Sequence, residues 1–446
     1  MTPVRSMLLL LSWAMLPAET QLTPVPSASL GIADLLAAGR GVSPALCTLA
    51  ADGIVSGRWG GGGSPPAQPL GVDARRRIRS MGVTRLSLEE SRVAISSLGA
   101  SDPCERQLAA TLLGSARDES LAGPVGRRLS SSSPAERAAA LVALGMMRAP
   151  SQADAIVAVL KDASAEVRAN AAWAIGRTEA RRAAPAVAAL LKDGEPVVRG
   201  ASVAALGRLE HRQSTEAIAR LLGTDPDTEV RRLSAWAIGA MNQLPGALAL
   251  AAALENDRDP GVREMAAWGL AETKALQGSG GLVDALLGDQ SAAVRETSAW
   301  ALGELRVRAT AVALGQALAD KDEHVRATAA WALGQMDLRR APAALVKVMT
   351  DVDEGVRLAA SWALSQIGDP EAAPSVSRAL KAETHDHVRQ AQVRALLKSG
   401  KPAANAIEGL LDSKDAKTRE LAVRALSGRS GPWPWPWPQP RPRPFP

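Results

Sequence analysis

The sequence predicts an all-α fold, an α-solenoid built from stacked helical hairpins. Three observations point to it. One arginine recurs at a near-constant interval, the residues around it keep helical spacing, and the composition suits tightly packed helices. The arginine falls at Arg106, Arg137, Arg168, Arg199, Arg231, Arg263, Arg295, Arg326, Arg357, Arg389 and Arg419, in steps of 30–32 residues. A fixed period of this size marks a repeat array. Aromatic residues make up 3% of the 446-residue chain, with no Tyr and one Phe, so Ala and Leu must fill the interior.

Each repeat reads as two helices. The first is short and apolar, as in Ala184–Asp193 (APAVAALLKD), and often carries Pro in its first turn (Pro185, Pro342, Pro374), where the missing N–H costs nothing. A polar loop follows. It holds an aspartate six residues before the arginine, at Asp162, Asp193, Asp225, Asp257, Asp289, Asp320 and Asp351. The second helix begins at Asp, Ser or Pro, a start signal, and runs as in Asp289–Gly303 (DQSAAVRETSAWALG). The repeat arginine can pair with the aspartate of its own or the next repeat. One hairpin cannot bury its apolar faces alone, whereas stacked neighbours bury a continuous core.

With the arginine as position 0 and 100° per residue, Val at −1, Ala at +3 and Leu at +7 form the core stripe. Position +5 lies on the opposite side and holds Trp173, Trp236, Trp268, Trp300, Trp331 and Trp362. A glycine recurs at +8, at Gly114, Gly145, Gly176, Gly207, Gly239, Gly303 and Gly334, and Ala271 and Ser365 break that rule.

With these motifs the repeats resemble the HEAT-like repeats first described in phycobilisome lyases, over roughly residues 103–428. The resemblance implies a right-handed superhelix whose second helices line a concave groove, and so a row of tryptophans in that groove. It also raises lyase-like or chaperone handling of a bilin chromophore, although the repeat occurs in many non-enzymatic proteins. The alternative for the tryptophans is packing on one another between adjacent repeats.

Charge on the same face changes along the chain. Position +9 carries Arg177 and Arg208, then Glu272 and Glu304, then Gln335 and Gln366; position +1 carries Arg232, then Glu264 and Glu296. The expected groove is basic early, acidic in the middle and neutral late, a surface suited to a protein or extended peptide. The net charge of +6 is no nucleic-acid signal, because many arginines belong to the repeat motif.

Outside the array, residues 1–18 read as a secretory signal: Arg5 precedes the apolar run Met7–Leu16, which is too short to span a membrane. The expected location is therefore exported, periplasmic or secreted, in a bacterium, with cleavage after Ala18. Residues 19–29 read as a linker. Residues 30–102 form an irregular helical cap, interrupted by a Gly/Pro loop at 57–71 and carrying a basic cluster at Arg75, Arg76, Arg77 and Arg79. The end of the chain, 429–446, alternates Pro with Trp433, Trp435, Trp437, Arg441 and Arg443, which favours an extended polyproline rod. Such a tail suits a membrane interface or a partner that binds proline-rich segments.

Enzymatic constellations are missing from the sequence. His385 and His387 flank Asp386 without an evident third or fourth metal ligand, no G-x4-G-K-[ST] or G-x-S-x-G motif occurs, and no His-Glu dipeptide occurs. The expectation is a monomeric, non-catalytic binding scaffold without cofactor or metal. The two cysteines, Cys47 and Cys104, are expected to pair and pin the cap to the array. Thiol titration of the unreduced chain checks this: no reactive thiol is expected, and two per chain would sink the pairing.

Overall fold

The computed structural model describes residues 32–41, 86–116, 118–399, 407–412 and 416–427. The expected signal, the linker, the 57–71 loop, Cys47, the Arg75–Arg79 cluster and the 429–446 tail lie outside the described residues. Those that are described are helical, with no strand among them. The chain divides into two compact units, Met1–His211 and Arg212–Phe445.

In the first unit the second helices of successive repeats are Pro103–Ala116, Pro134–Met147, Ala165–Thr178 and Pro196–Arg208, each packed on the next. The unit begins with the helix Ile32–Ala38, which packs on Leu88–Ser97 and Pro103–Ala116. Polar contacts fix that docking. Arg40 reaches Glu105 at 2.7 Å and the Gly41 N–H donates to Asp102 at 2.9 Å. Ser87 and Glu90 close a reciprocal capping box on Leu88–Ser97, satisfying two otherwise orphaned N–H groups. Cys104 is disulfide-bonded.

The second unit stacks Thr228–Ala240, Pro260–Glu272, Ala292–Leu305, Glu323–Gln335, Glu354–Ile367 and Asp386–Lys398 in the same way. Asp227, Asp259, Asp322 and Asp353 cap four of these helices through their carboxylates. Pro185 and Pro374 sit in the first turn of their helices as expected. Pro342 instead precedes its helix as the cap residue, with extended ψ of 140°.

The core stripe is where the helical spacing puts it. Val262, Val294 and Val325 at −1 and Leu270, Leu302 and Leu333 at +7 are fully buried. Position +3 takes only small residues across these repeats: Ala266, Ser298 and Ala329 are all completely covered. Where that residue is Ser202 or Ser234, its hydroxyl donates to the carbonyl four residues back. A buried hydroxyl is then satisfied without a partner helix.

Repeats are tied to one another by the arginine. Nε and Nη2 of Arg295 grip Asp320 of the next repeat at 2.7 and 2.9 Å, while Nη1 donates to the carbonyls of Asp289 and Gln290 in its own loop. Asp320 in turn accepts from the N–H of Asp322. The same bidentate pair joins Arg137 to Asp162 and Arg168 to Asp193 in the first unit. In the second unit it joins Arg231 to Asp257, Arg263 to Asp289 and Arg326 to Asp351. Arg357 uses Glu383, which stands where the aspartate of the next repeat would be.

Burial pushes the Asp320 carboxyl up, and its bonds to Arg295 and to the Asp322 N–H outweigh burial and hold it below the ordinary range. Glu383 is held down to about 2 against the same burial. These carboxylates ionise more readily folded than unfolded. Their stabilisation is complete above the ordinary Asp and Glu range, about pH 4, and is lost as pH falls through the lowered folded values. Arg295→Ala strands Asp320 and is expected to cost about 3–5 kcal/mol, read as a lower melting temperature. Arg295→Lys should recover only part of that, because an ammonium cannot make the two-pronged contact. A melting temperature unchanged in Arg295→Ala would contradict the ladder's structural role.

Candidate functional site

Positions +1, +5 and +9 of a second helix are four residues apart and share one face. On that face the tryptophans differ from the expectation of exposed anchors. Trp236, Trp300, Trp331 and Trp362 are buried, at 8%, 8%, 2% and 4% exposure, and Trp173 and Trp268 are half-buried. For Trp331 and Trp362 the reason lies in the +8 glycines; Trp300 is buried although Ala271 holds that position in the preceding repeat. A methyl added at Gly334 would fall 2.6 Å from Cζ3 of Trp362, and at Gly303 2.7 Å from Cζ3 of Trp331. Gly239 seats Trp268 and Gly145 seats Trp173 in the same way. At these four steps the glycine of one repeat is therefore the seat for the indole of the next. The rings of Trp331 and Trp362 stack with centroids 6.3 Å apart and planes 15° from parallel. Trp331 and Trp362 join repeats, and all four buried tryptophans expose too little of their rings to anchor a ligand, whereas Trp173 and Trp268 are only half-buried.

The charged positions remain accessible. Glu272 and Glu304 occupy +9 in adjacent repeats and are exposed, and Glu264 and Glu296 at +1 are half-buried. Partial burial of its carboxyl and the charge of Glu304 push Glu272 above the usual carboxylate range. Burial likewise raises Glu296, against the nearby His324 and a hydrogen bond from Thr328. Among the described residues no cation pairs with Glu272 or Glu304. Both also stand in the last turns of their helices, where the backbone dipole disfavours negative charge. Arg232 is engaged by Glu229 of its own helix at 2.8 Å, so it adds little positive charge to the face. Gln335 is half-buried and Gln366 exposed.

In the first unit the +9 arginines converge with two others. Arg148, Arg177, Arg181 and Arg208 line one cavity of about 300 Å³ together with Gly176, Leu209, Glu179 and Glu210. Arg177 lies over the Trp173 ring at 5.9 Å, a cation–π contact that fixes its direction. Glu179 approaches Arg148 at 3.7 Å and Glu210 approaches Arg181 at 3.4 Å, all four side chains being more than half exposed. Arg208 is half-buried and, among the described residues, has neither a carboxylate nor a hydrogen-bond partner. Burial, then the charge of Arg148, hold its guanidinium below the usual arginine range. Arg148 and Arg181 fall outside the periodic positions. The visible signal is Ala204, which replaces Trp at +5 of the Arg199 repeat.

His385 is held by Glu354 at 3.1 Å and Glu383 at 3.2 Å, and no group of three or more metal-ligating side chains occurs among the described residues. No helix among them is long and apolar enough to cross a membrane.

The HEAT-repeat model matches residues 92–176, 153–239, 215–279, 279–365 and 342–427. The chain belongs to the HEAT-repeat family. Comparison with curated proteins finds no match. Among solved structures it is similar to importin beta, at 13% identity and a TM-score of 0.57 over 90% of this chain and 61% of that one. It is similar also to Kap95p bound to RanGDP, at 15% identity and 0.53 over 81% of this chain and 59% of that one. The chain thus spans about three-fifths of those relatives, and the likeness establishes the fold. The CpcE–CpcF phycocyanin lyase complex of Nostoc sp. matches at 20% identity over 55% of this chain and 94% of that one. Its TM-score of 0.33 carries no argument for lyase chemistry.

The seating of tryptophan on glycine is open to direct test. Gly334→Ala should cost about 1–3 kcal/mol by overpacking, and Trp331→Ala about 3–5 kcal/mol by leaving a void. Chemical denaturation measures both; a Trp331→Ala variant as stable as the parent would return that ring to the list of exposed anchors.

Proposed function

We propose that this chain is a non-catalytic scaffold that binds a protein or extended peptide on its second-helix face, and that Glu264, Glu272, Glu296 and Glu304 select a basic segment. The carrying observation is the pair Glu272 and Glu304. Almost every repeat carboxylate in the fold is matched to a guanidinium, whereas among the described residues these two have no cation and oppose their helix dipoles, and burial and the charge of Glu304 raise Glu272. A folding role would not place them so. The half-exposed ring of Trp268 beside them supplies apolar contact for the stem of a Lys or Arg. The Kap95p and importin structures support a protein-binding solenoid by fold alone. Export through residues 1–18 is part of the same proposal, and N-terminal sequencing of the mature chain should begin at Glu19.

The test joins stability to binding. Glu272 has a raised folded value, so its contribution destabilises the fold increasingly as pH rises through that value. Glu272→Gln with Glu304→Gln is therefore expected to raise the melting temperature at pH 7. The same variant should bind a fluorescent Lys/Arg-rich peptide at least about tenfold more weakly, equivalent to about 1.4 kcal/mol. Parent binding should weaken on acidification at a pH above that of an ordinary glutamate. Unchanged peptide affinity in the double variant would remove the reading.

A further inference from the structure

We infer that the cavity between Arg148, Arg177, Arg181 and Arg208 is a binding site for a phosphomonoester group. It lies wholly within the first unit and does not depend on the acidic face.

The site exists because the Arg199 repeat carries Ala204 where six other repeats carry tryptophan. Gly145, Gly239, Gly303 and Gly334 are covered by the six-membered ring of the next tryptophan, and Gly114 by the Met146 side chain. After Gly176 the next repeat offers Ala204 instead. The atoms nearest a methyl added at Gly176 belong to Ala205, and Gly176 itself lines the open cavity. The space that an indole occupies in other repeats is left free here, and arginines surround it.

The charge count selects the ligand. Four guanidinium groups and two carboxylates line the cavity, leaving an excess of two positive charges, the complement of a phosphomonoester dianion. The carboxylates do not close the site. Their ion pairs are long and exposed, at 3.7 and 3.4 Å, and such pairs contribute little. Arg208 is the main anchor, since a half-buried guanidinium that has no carboxylate or hydrogen-bond partner among the described residues gains most from an anion. Guanidinium groups suit this task because their donors match phosphate oxygens two at a time. Arg177, laid on Trp173 at 5.9 Å, is preorganised for the same oxygens. A cavity of about 300 Å³ leaves room for the group that carries the phosphoryl.

The experiment is calorimetric titration of the full chain with inorganic phosphate, phosphoserine, a phosphoserine peptide and its unphosphorylated form. Two variants accompany it. Arg208→Gln removes the anchor. Ala204→Trp restores the repeat pattern and fills the space without touching an arginine. The proposal expects the phosphorylated probes to bind, with at least a tenfold loss in each variant and melting temperatures no lower than the parent's. A peptide bound over tenfold more tightly than phosphoserine assigns the source to a phosphoprotein; equal affinities assign it to a small phosphorylated molecule. No binding of any phosphorylated probe, or binding unchanged in both folded variants, overturns the proposal. So would an oligonucleotide bound through Arg208 while phosphoserine is not. Failure here leaves the basic-peptide reading of the second unit untouched, because the two use different residues and different probes.

Discussion

The fold rests on one contact, the two-pronged ion pair between the arginine of one repeat and the acid of the next. It does three jobs in one group. Nη1 ties the arginine to its own loop carbonyls, and Nε and Nη2 take the next carboxylate, as Arg326 does with Asp320, Lys321 and Asp351. The carboxylate in turn fixes the start of its own loop by accepting a backbone N–H, as Asp351 does from Asp353. Each pair thus sets both the spacing and the orientation of adjacent hairpins. A planar guanidinium is required for this geometry. The arginine-rich composition is therefore largely a structural demand, and the net charge of +6 says little about partners.

A second device works beside the first. Glycine at +8 lets the backbone approach closely, and the next tryptophan fills the space beside it. Close packing of this kind leaves little tolerance for added atoms. The two devices together define which positions are committed to folding. Positions outside them are free to carry other chemistry, and there the charges depart from what stability favours. The acids at Glu272 and Glu304 and the arginines around Gly176 are both departures of this kind, one in each unit.

Much of this was legible in the sequence, and the misses have physical causes. Period, hairpin architecture and core stripe follow from spacing alone, because each repeat buries the same face. The helical wheel places the tryptophans on the side away from the core and leaves both groove anchoring and packing between repeats open; Trp331 and Trp362 take the second course. A helical wheel sees one helix and its own partner; it does not see the second helix of the adjacent repeat, which covers Trp331 and Trp362. The recurring glycine was the available clue, since a small residue at a fixed offset marks a close approach. Glu383 falls outside a pattern defined by aspartate, although one extra methylene still lets it reach Arg357. Arg148 was missed because it enters the cavity from a left-handed residue just past its helix, with φ of 55°. Glu179 and Glu210 take the same conformation at the corresponding positions, where only Gly368 uses the residue that adopts it without strain.

On the proposal above, the +9 charges serve binding, whereas the ladder and the tryptophan seats serve folding. The most direct measurement is a scan that replaces Arg177, Arg208, Glu272 and Glu304 singly with Gln, recording melting temperature and ligand affinity on the same samples. The account predicts that stability holds or rises in all four variants, while affinity falls for the basic peptide in the glutamate variants and for phosphoserine in the arginine variants. Falling stability with unchanged affinity would contradict it, and would make these charges part of the fold.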